Sequence, residues 1–146
     1  MRNYLFALIF LLSLSVSAQE VQLSWQKDFN VAVEMAKSEN KPILIYFNKS
    51  NCDECLQFYT SFFKQKTFDG LSNDFVLLML DGSNNDMKTN DLSVIKQRRM
   101  VMHYNKASRF PAVLVIDQNR QEMGDLFTSN DKNDISTYCS FLESIK

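Results

Sequence analysis

Residues 48–58 read NKSNCDECLQF, and the two cysteines at the centre of this stretch organise the chain. The preceding residues, 42–47 (PILIYF), are apolar, β-branched and aromatic, which predicts a buried strand. The following residues carry an apolar stripe at spacings of three and four, which predicts a helix that begins near Cys52 and fades near Lys66. The stripe consists of Phe58, Tyr59, Phe62 and Phe63. A strand that runs into a cysteine-bearing helix is therefore the expected centre of the fold.

The helix start is a favourable place for cysteine chemistry. Cys52 and Cys55 lie three residues apart, so they share a face of the first turn and are close enough to form a disulfide without backbone movement. The unpaired amides and the positive end of the helix favour a thiolate at Cys52. We therefore expect reversible dithiol chemistry, with Cys52 and Cys55 as the catalytic residues.

Two other interpretations of the cysteine pair stay open. One is a static disulfide that stiffens the helix start of a domain that only binds a partner. The other is half of a zinc site, although zinc needs four ligands and only His103 and Cys139 remain to complete it. A disulfide that closes so short a loop is labile, which argues against a purely structural role. We expect redox catalysis without any bound metal or other cofactor.

The composition is that of one globular domain. The 146 residues are 45% hydrophobic and 12% aromatic, which is enough for a single core. The formal net charge is only −1, so we expect no nucleic-acid partner. We expect a monomer.

The amino-terminal segment, residues 1–18, predicts a secretory signal peptide. It has a basic start at Arg2, an apolar run and a small-residue cleavage site that ends at Ala18, so the mature domain is expected to span 19–146. The alternative is an uncleaved membrane anchor, but the apolar run of about thirteen residues is shorter than the roughly 20 that span a bilayer. Export to the periplasm or the exterior places the mature chain in an oxidising compartment, where a cysteine pair can hold or exchange a disulfide.

The rest of the chain predicts alternating helices and strands. Helices are expected at 28–39, 91–102 and 131–145, and strands at 21–23, 75–80, 112–117 and 122–127. Turn chemistry marks 69–73, and a turn at 117–120 is expected to hold Asn119 in a left-handed conformation. A β-α-β unit followed by a β-hairpin and a terminal helix predicts an α/β fold, with a mixed sheet covered by helices on both faces.

The helix at 91–102 combines an apolar side with a basic surround. Its expected apolar face consists of Leu92, Ile95 and Met102, and the basic residues are Lys96, Arg98, Arg99 and Lys106. The basic cluster has two interpretations, a solvated helix face and a site for a polyanion. We expect the solvated face, because a nearly neutral chain supplies no wider field to attract a polyanion.

The third cysteine and the single histidine are expected to be structural. Cys139 lies on the apolar face of the last helix, where a cysteine behaves as a small hydrophobe rather than a third redox centre. His103 is expected at the surface or at a helix end rather than in a catalytic site.

Three stretches resemble the thioredoxin-like superfamily: residues 41–47 (KPILIYF), 52–55 (CDEC) and 110–113 (FPAV). The resemblance extends from about residue 25 to the end and is closest to exported bacterial members, including those related to the catalytic domain of thiol:disulfide interchange proteins. It implies a thioredoxin-like fold in which Cys52 is the exposed nucleophile and Cys55 resolves the mixed disulfide. It also implies a cis-proline at Pro111 that faces the cysteines and, with Phe110, binds substrate proteins.

The chain departs from thioredoxin itself at several positions. Asp53 and Glu54 stand between the cysteines where thioredoxin has Gly-Pro, and Tyr46 aligns with its buried acid, so the proton acceptor for Cys55 is not identified. The two acids compete with the Cys52 thiolate for the positive helix end, which favours the disulfide and tunes the pair toward the reducing side. We expect a potential nearer to about −270 mV than to about −120 mV.

Together these features predict an exported thiol-disulfide oxidoreductase that exchanges disulfides with cysteine-containing proteins and with a separate redox partner. The alternative is a thioredoxin-fold binding or chaperone-like module whose cysteine pair is not catalytic. Turnover of a protein disulfide distinguishes these two classes.

Overall fold

Four strands form one mixed sheet in the computed structural model, which describes residues 22–83, 90–128 and 135–146. The strands are β1 (Ile43–Asn48), β2 (Val76–Asp81), β3 (Ala112–Ile116) and β4 (Phe127–Thr128). Their order in the sheet is β2-β1-β3-β4. β2 runs parallel to β1, whereas β3 is antiparallel to β1, and β4 is antiparallel to β3. The prediction of an α/β fold with a mixed sheet is confirmed.

Five α-helices accompany the sheet within the described ranges. They are α1 (Phe29–Glu39), α2 (Asp53–Phe58), α3 (Lys66–Ser72), α4 (Leu92–Tyr104) and α5 (Ile135–Ile145), and a π-helical turn (Tyr59–Phe63) continues α2. α1 matches its prediction closely. The Asp28 carboxylate accepts hydrogen bonds from the amides of Asn30 and Val31, and Asn40 ends the helix in a left-handed conformation with a φ of 53°. These caps satisfy backbone groups that a helix leaves unpaired at its ends.

The two faces of the sheet carry two separate hydrophobic cores. Ile43, Ile45 and Phe47 of β1 belong to the first core, which includes buried residues of α1 and α4. Leu44 and Tyr46 belong to the second core, which includes residues of α2, α3 and α5. Side chains alternate between the faces of a strand, so a strand covered on both faces has a continuous apolar sequence. The aromatic residues of the second core are Tyr46, Phe58, Phe62, Phe63, Phe68, Phe75, Phe127 and Tyr138.

The region after the cysteine helix differs from the prediction. A separate helix, α3, spans residues for which turn chemistry predicts a turn, and the cysteine helix ends before it at Phe63. Gly70 in a helix costs roughly 0.5–1 kcal/mol relative to alanine. Phe68 and Leu71, however, are only 0% and 2% exposed in the second core. Burying each such side chain is worth about 1.5–3 kcal/mol, so tertiary packing outweighs the local turn preference.

The predicted apolar face of α4 is wrong at two of its three residues, whereas the third, Ile95, is half-buried. Leu92 and Met102 are 70% and 65% exposed, whereas Val101 and Tyr104 are buried in the first core. Periodicity identified the helix but not its most buried side, because the buried residues of α4, Val101 and Tyr104, both lie in its last turn. Three of the four basic residues, Lys96, Arg99 and Lys106, are exposed, as expected of a solvated helix face, and Arg98 is half-buried.

The sequence predicts a short strand at residues 21–23. Residues 22 and 23, the part of it that the structure describes, are not in a strand. Instead, Gln26 forms a single parallel bridge with Leu78 at the edge of β2. Trp25 covers one side of the second core, as predicted, with its ring edge-on to Phe63 at 4.9 Å between centroids.

The hairpin after β3 is shorter than predicted. β4 has two residues, and Glu122 adds one isolated bridge to Ile116. The left-handed residue of the turn is Arg120, with a φ of 69°, rather than Asn119. The Arg120 guanidinium lies over the ring of Phe29, 5.6 Å from its centroid, in a cation–π contact.

Other predictions for the ends of the chain have different outcomes. The signal peptide, its cleavage after Ala18 and the expected cap of the last helix at Asp131 lie outside the described residues and stay predictions. α5 buries Tyr138, Cys139 and Leu142, as its sequence pattern predicts. In the part of the chain that the structure describes, no helix has both the length and the apolar character needed to span a membrane.

Candidate active site

The start of α2 presents the two cysteines together. Asn51 is in a left-handed conformation with a φ of 55°, and it directly precedes Cys52, the residue immediately before α2. Cys52 and Cys55 form a disulfide, with an S–S distance of 2.02 Å and Cα atoms 5.2 Å apart. Cys52 Sγ also accepts a hydrogen bond from the Cys55 amide at 3.1 Å. Cys52 is thus the N-cap of the helix, because its side chain satisfies one of the unpaired amides of the first turn.

The two cysteines differ in exposure. Cys55 is 2% exposed, and Cys52 is partly exposed. Asp53 and Glu54 between them are both exposed in the first turn. Cys52 is therefore the more accessible of the two cysteines, and the two carboxylates lie where they add negative charge to the helix start.

Tyr46 supports the first turn of α2 from the sheet. Its hydroxyl donates a hydrogen bond to the Cys55 carbonyl at 2.9 Å, within the second core. Burial raises the pKa of Tyr46 well above its ordinary value, and the nearby Tyr59 adds to the increase. Tyr46 is therefore a fixed donor, not a base that takes a proton from Cys55. The sequence aligns Tyr46 with the buried acid of thioredoxin. It does not predict the hydrogen bond to Cys55, because that bond depends on how α2 lies on the sheet.

A polar network joins the two loops at the carboxyl ends of β1 and β2. The Asp81 carboxylate accepts hydrogen bonds from the Ser83 amide at 2.8 Å, from the Ser83 hydroxyl and from the Ser50 hydroxyl at 3.3 Å. The Ser83 hydroxyl in turn accepts one from the Ser50 amide, and the Gly82 amide donates to the Asn48 carbonyl at 2.8 Å. Sequence analysis did not identify this network, although carboxyl ends of adjacent parallel strands always meet at one edge.

Phe110 and Pro111 lie at the same edge of the sheet. The Phe110–Pro111 peptide bond is cis, as the resemblance implies. Ala112, which follows, pairs with Phe47 near the end of β1. A Cβ atom placed on Gly82 would overlap Cζ of Phe110, so the Phe110 ring lies directly against the loop that follows β2. Only a residue without a side chain permits this approach.

A cleft of about 320 Å³ lies beside the disulfide. Both cysteines line it, together with Tyr46, Asn48, Lys49, Asn51, Asp53, Leu56, Tyr59 and Met79. The sequence does not reveal this cleft, because β1, β2 and α2 all contribute to it.

The family assignment agrees with this geometry. A sequence model described as thioredoxin-like matches residues 24–118, which include both cysteines and Pro111. The chain belongs to the thioredoxin-like family. No curated protein sequence matches this thioredoxin-like chain.

Solved structures support the fold of this thioredoxin-like protein. It resembles DsbH oxidoreductase at 17% identity and a TM-score of 0.67, covering 86% of this chain and 85% of the other. It resembles a thioredoxin from Thermus thermophilus at 16% identity and a TM-score of 0.62, covering 86% and 88%. It also resembles the oxidised DsbD carboxy-terminal domain of Neisseria meningitidis at 14% identity and a TM-score of 0.58, covering 84% and 100%. At these identities the likeness shows the fold alone.

The third cysteine and the histidine of this thioredoxin-like protein lie apart from the cleft lining. Cys139 is 8% exposed in the second core, on α5, and the disulfide joins the other two cysteines. His103 is exposed near the end of α4. Among the described residues, no group of three or more histidine, cysteine or acidic side chains is arranged to hold a metal ion.

Proposed function

We propose that this protein is an exported thiol-disulfide oxidoreductase that reduces disulfides in protein substrates. One observation carries the proposal: a partly exposed Cys52 caps a helix start and forms a disulfide with a Cys55 that is 2% exposed. This asymmetry matches the roles of an attacking and a resolving cysteine. A static staple needs no such difference in exposure.

The reaction follows from these roles. In the dithiol form, the Cys52 thiolate attacks one sulfur of a substrate disulfide, forms a mixed disulfide and releases the other substrate sulfur as a thiolate. The Cys55 thiolate then attacks Cys52 Sγ, closes the Cys52–Cys55 disulfide and releases the second substrate thiolate. Two electrons pass to the substrate, the two protons of the dithiol go to solvent, and the two released thiolates take up two protons. A separate dithiol donor, the redox partner, returns the pair to the reduced form.

The helix start sets the tendency of the pair to be oxidised. The Cys55 amide that now donates to Cys52 Sγ is also placed to stabilise a Cys52 thiolate. Asp53 and Glu54 oppose this stabilisation, because their charges lie in the same exposed turn. We therefore assign the pair to the reducing side, nearer to about −270 mV than to about −120 mV.

Phe110 and Pro111 are the proposed substrate-binding residues. They precede β3 at the edge of the sheet from which the Cys52 loop leaves, and Phe110 is half-buried against Gly82. An extended substrate segment that adds alongside this backbone would bring its disulfide toward Cys52. Export rests on the signal-like residues 1–18, which direct the domain to a compartment where protein disulfides occur.

Insulin reduction tests the proposed activity. The full chain, supplied with dithiothreitol as the dithiol donor, is expected to precipitate the insulin B chain faster than dithiothreitol alone. The double variant Cys52→Ser/Cys55→Ser is the matched control and is expected to give the rate of dithiothreitol alone. Equal rates for wild type and double variant would contradict catalysis and would support the binding module instead.

A further inference from the structure

The cleft beside the disulfide is positioned to contact the substrate at a second site, in addition to Phe110 and Pro111. It is lined by both cysteines, so whatever polypeptide is attached to Cys52 already lies at its opening. Its floor includes Tyr46 and Met79, residues that pack with the second core. Phe110 instead packs against the first core, on the other face of the sheet. The cleft is therefore distinct from the proposed Phe110–Pro111 site.

We propose that this cleft binds an aliphatic or aromatic side chain of the substrate, next to the cysteine that Cys52 attacks. The proposal rests on the proposed function, because only a protein that forms mixed disulfides presents a substrate segment here. A residue adjacent to the attacked cysteine lies about 3.8 Å away along the chain, measured between Cα atoms, so its side chain is within reach of the cleft.

Leu56 supplies the exposed apolar wall of the cleft. It follows Cys55 directly and is 68% exposed, so the fold itself gains little from it. The other exposed large apolar residues among the described ones are Val31, Leu92 and Met102, and none of them lines the cleft. An apolar substrate side chain that covers Leu56 removes apolar surface of both partners from water, at roughly 25 cal/mol per Å².

The remaining walls are held in place before any substrate arrives. Tyr59 accepts a hydrogen bond from Trp25 Nε1 at 3.1 Å, and its ring lies 6.0 Å from that of Tyr46. Tyr46 is fixed in turn by its bond to the Cys55 carbonyl. A pre-formed wall of this kind lowers the entropy lost on binding. Met79 is the adaptable member, since an unbranched thioether fits apolar groups of different shape.

The charges at the cleft favour an uncharged occupant. Lys49 and Asp53 both line it and are both exposed, so one positive and one negative charge are present. A charged substrate side chain meets attraction and repulsion together, and exposed pairs of this kind contribute at most about 1 kcal/mol. The lining also includes the amide side chains Asn48 and Asn51, and the Asn48 side-chain oxygen already accepts a hydrogen bond from the Lys49 amide at 2.7 Å. Apolar contact with Leu56, Tyr59 and Met79 is therefore the proposed source of selectivity.

A pair of disulfide-linked peptide dimers tests the subsite. The dimers are identical except for the residue that follows cysteine, which is leucine in one and glutamine in the other. The readout is the ratio of kcat/KM for the two dimers, measured with the full chain and with dithiothreitol as the dithiol donor, after the rate with dithiothreitol alone is subtracted. Wild type is expected to favour the leucine dimer by about fivefold to tenfold, mainly through KM. Leu56→Ser is expected to reduce this ratio to below about twofold.

Leu92→Ser is the matched control, because Leu92 is a leucine of similar exposure, 70%, on α4. It is expected to keep the wild-type ratio and the wild-type rates. The subsite is wrong if wild type turns over both dimers equally, or if Leu92→Ser and Leu56→Ser lower the ratio alike. If wild type reduces neither dimer nor insulin, the proposed function itself fails, and the subsite fails with it.

Discussion

The two faces of the central sheet contribute different chemistry to one site, although the same strand, β1, supplies both. On the first core, which is mainly aliphatic, Phe110 packs against the Gly82 loop. On the second core, which is aromatic, Tyr46 donates a hydrogen bond to Cys55. The cysteine pair is thus supported from one face and the proposed substrate backbone site from the other. Variants on the two faces should therefore have separable effects.

The largest expected effect distinguishes the two cysteines themselves. Replacing either one by serine should lower protein-disulfide turnover by at least about 10³-fold, because each is needed for one of the two exchange steps. Only Cys55→Ser should accumulate mixed disulfides with substrate proteins, since it keeps the exposed nucleophile. Non-reducing electrophoresis detects these adducts. Equal trapping by Cys52→Ser and Cys55→Ser would contradict the assigned roles.

The next effect concerns the stability of the aromatic core. Phe62→Ala removes a ring that is 0% exposed and should lower the free energy of unfolding by about 3–5 kcal/mol. Leu56→Ala, on the same helical segment but 68% exposed, should change it by no more than about 0.5 kcal/mol. Urea unfolding of the oxidised proteins measures both. A small loss for Phe62→Ala would mean that the second core is less tightly packed than the structure shows.

The role of Tyr46 is best measured against Tyr104. Each hydroxyl donates to a backbone carbonyl, Tyr46 to Cys55 at 2.9 Å and Tyr104 to Arg120 at 3.2 Å. Each change to phenylalanine should lower the free energy of unfolding by about 1 kcal/mol. Only Tyr46→Phe should also slow insulin reduction, by about threefold to tenfold, because it loosens the turn that carries Cys55. Equal rates of insulin reduction by Tyr46→Phe and Tyr104→Phe would contradict a specific role of Tyr46 in the active site.

The buried Tyr46 hydroxyl should also make the free energy of unfolding fall at alkaline pH. Its pKa is raised in the folded protein because burial penalises the phenolate, so the folded state binds its proton more tightly than the unfolded chain does. The resulting stability is fully present below about pH 10 and is lost as pH rises above that value, by at most about 1.4 kcal/mol per unit for one group. Tyr46→Phe should therefore show a weaker decline of stability between about pH 10 and 11 than wild type. Identical declines, followed by urea unfolding at each pH, would exclude this contribution.

The smallest expected effect is on the redox potential. Replacing Asp53 and Glu54 by asparagine and glutamine should stabilise the Cys52 thiolate and raise the potential by about 10–30 mV, where 30 mV corresponds to about 1.4 kcal/mol for two electrons. Exposure and salt limit the size of the change. Glutathione or dithiothreitol titration measures it. A wild-type potential near about −120 mV, or a downward shift on neutralisation, would show that the electrostatic argument is wrong.

Local patterns in the sequence predicted much of the fold. The continuous run of apolar, β-branched and aromatic residues identified β1, and the spacing of Phe29, Ala32, Val33 and Ala36 identified the buried face of α1. These predictions succeed because an apolar run and a period of 3.6 residues are both properties of residues close together in the chain. The location of the cysteine pair at a helix start was likewise readable, since strand, cysteines and helix are contiguous.

The sequence by itself determined which residues form β1, the cysteine helix and the proline-led β3, because short-range hydrophobic periodicity and backbone chemistry specify each of them. Only the tertiary structure decided that residues 66–72 are helical, that Tyr46 bonds Cys55, and that the Ser50 and Ser83 loops are tied together. The physical reason is distance along the chain. Ser50 and Ser83 are 33 residues apart, and Trp25 and Tyr59 are 34 apart. Contacts of this range depend on how helices lie on the sheet, which no local pattern records.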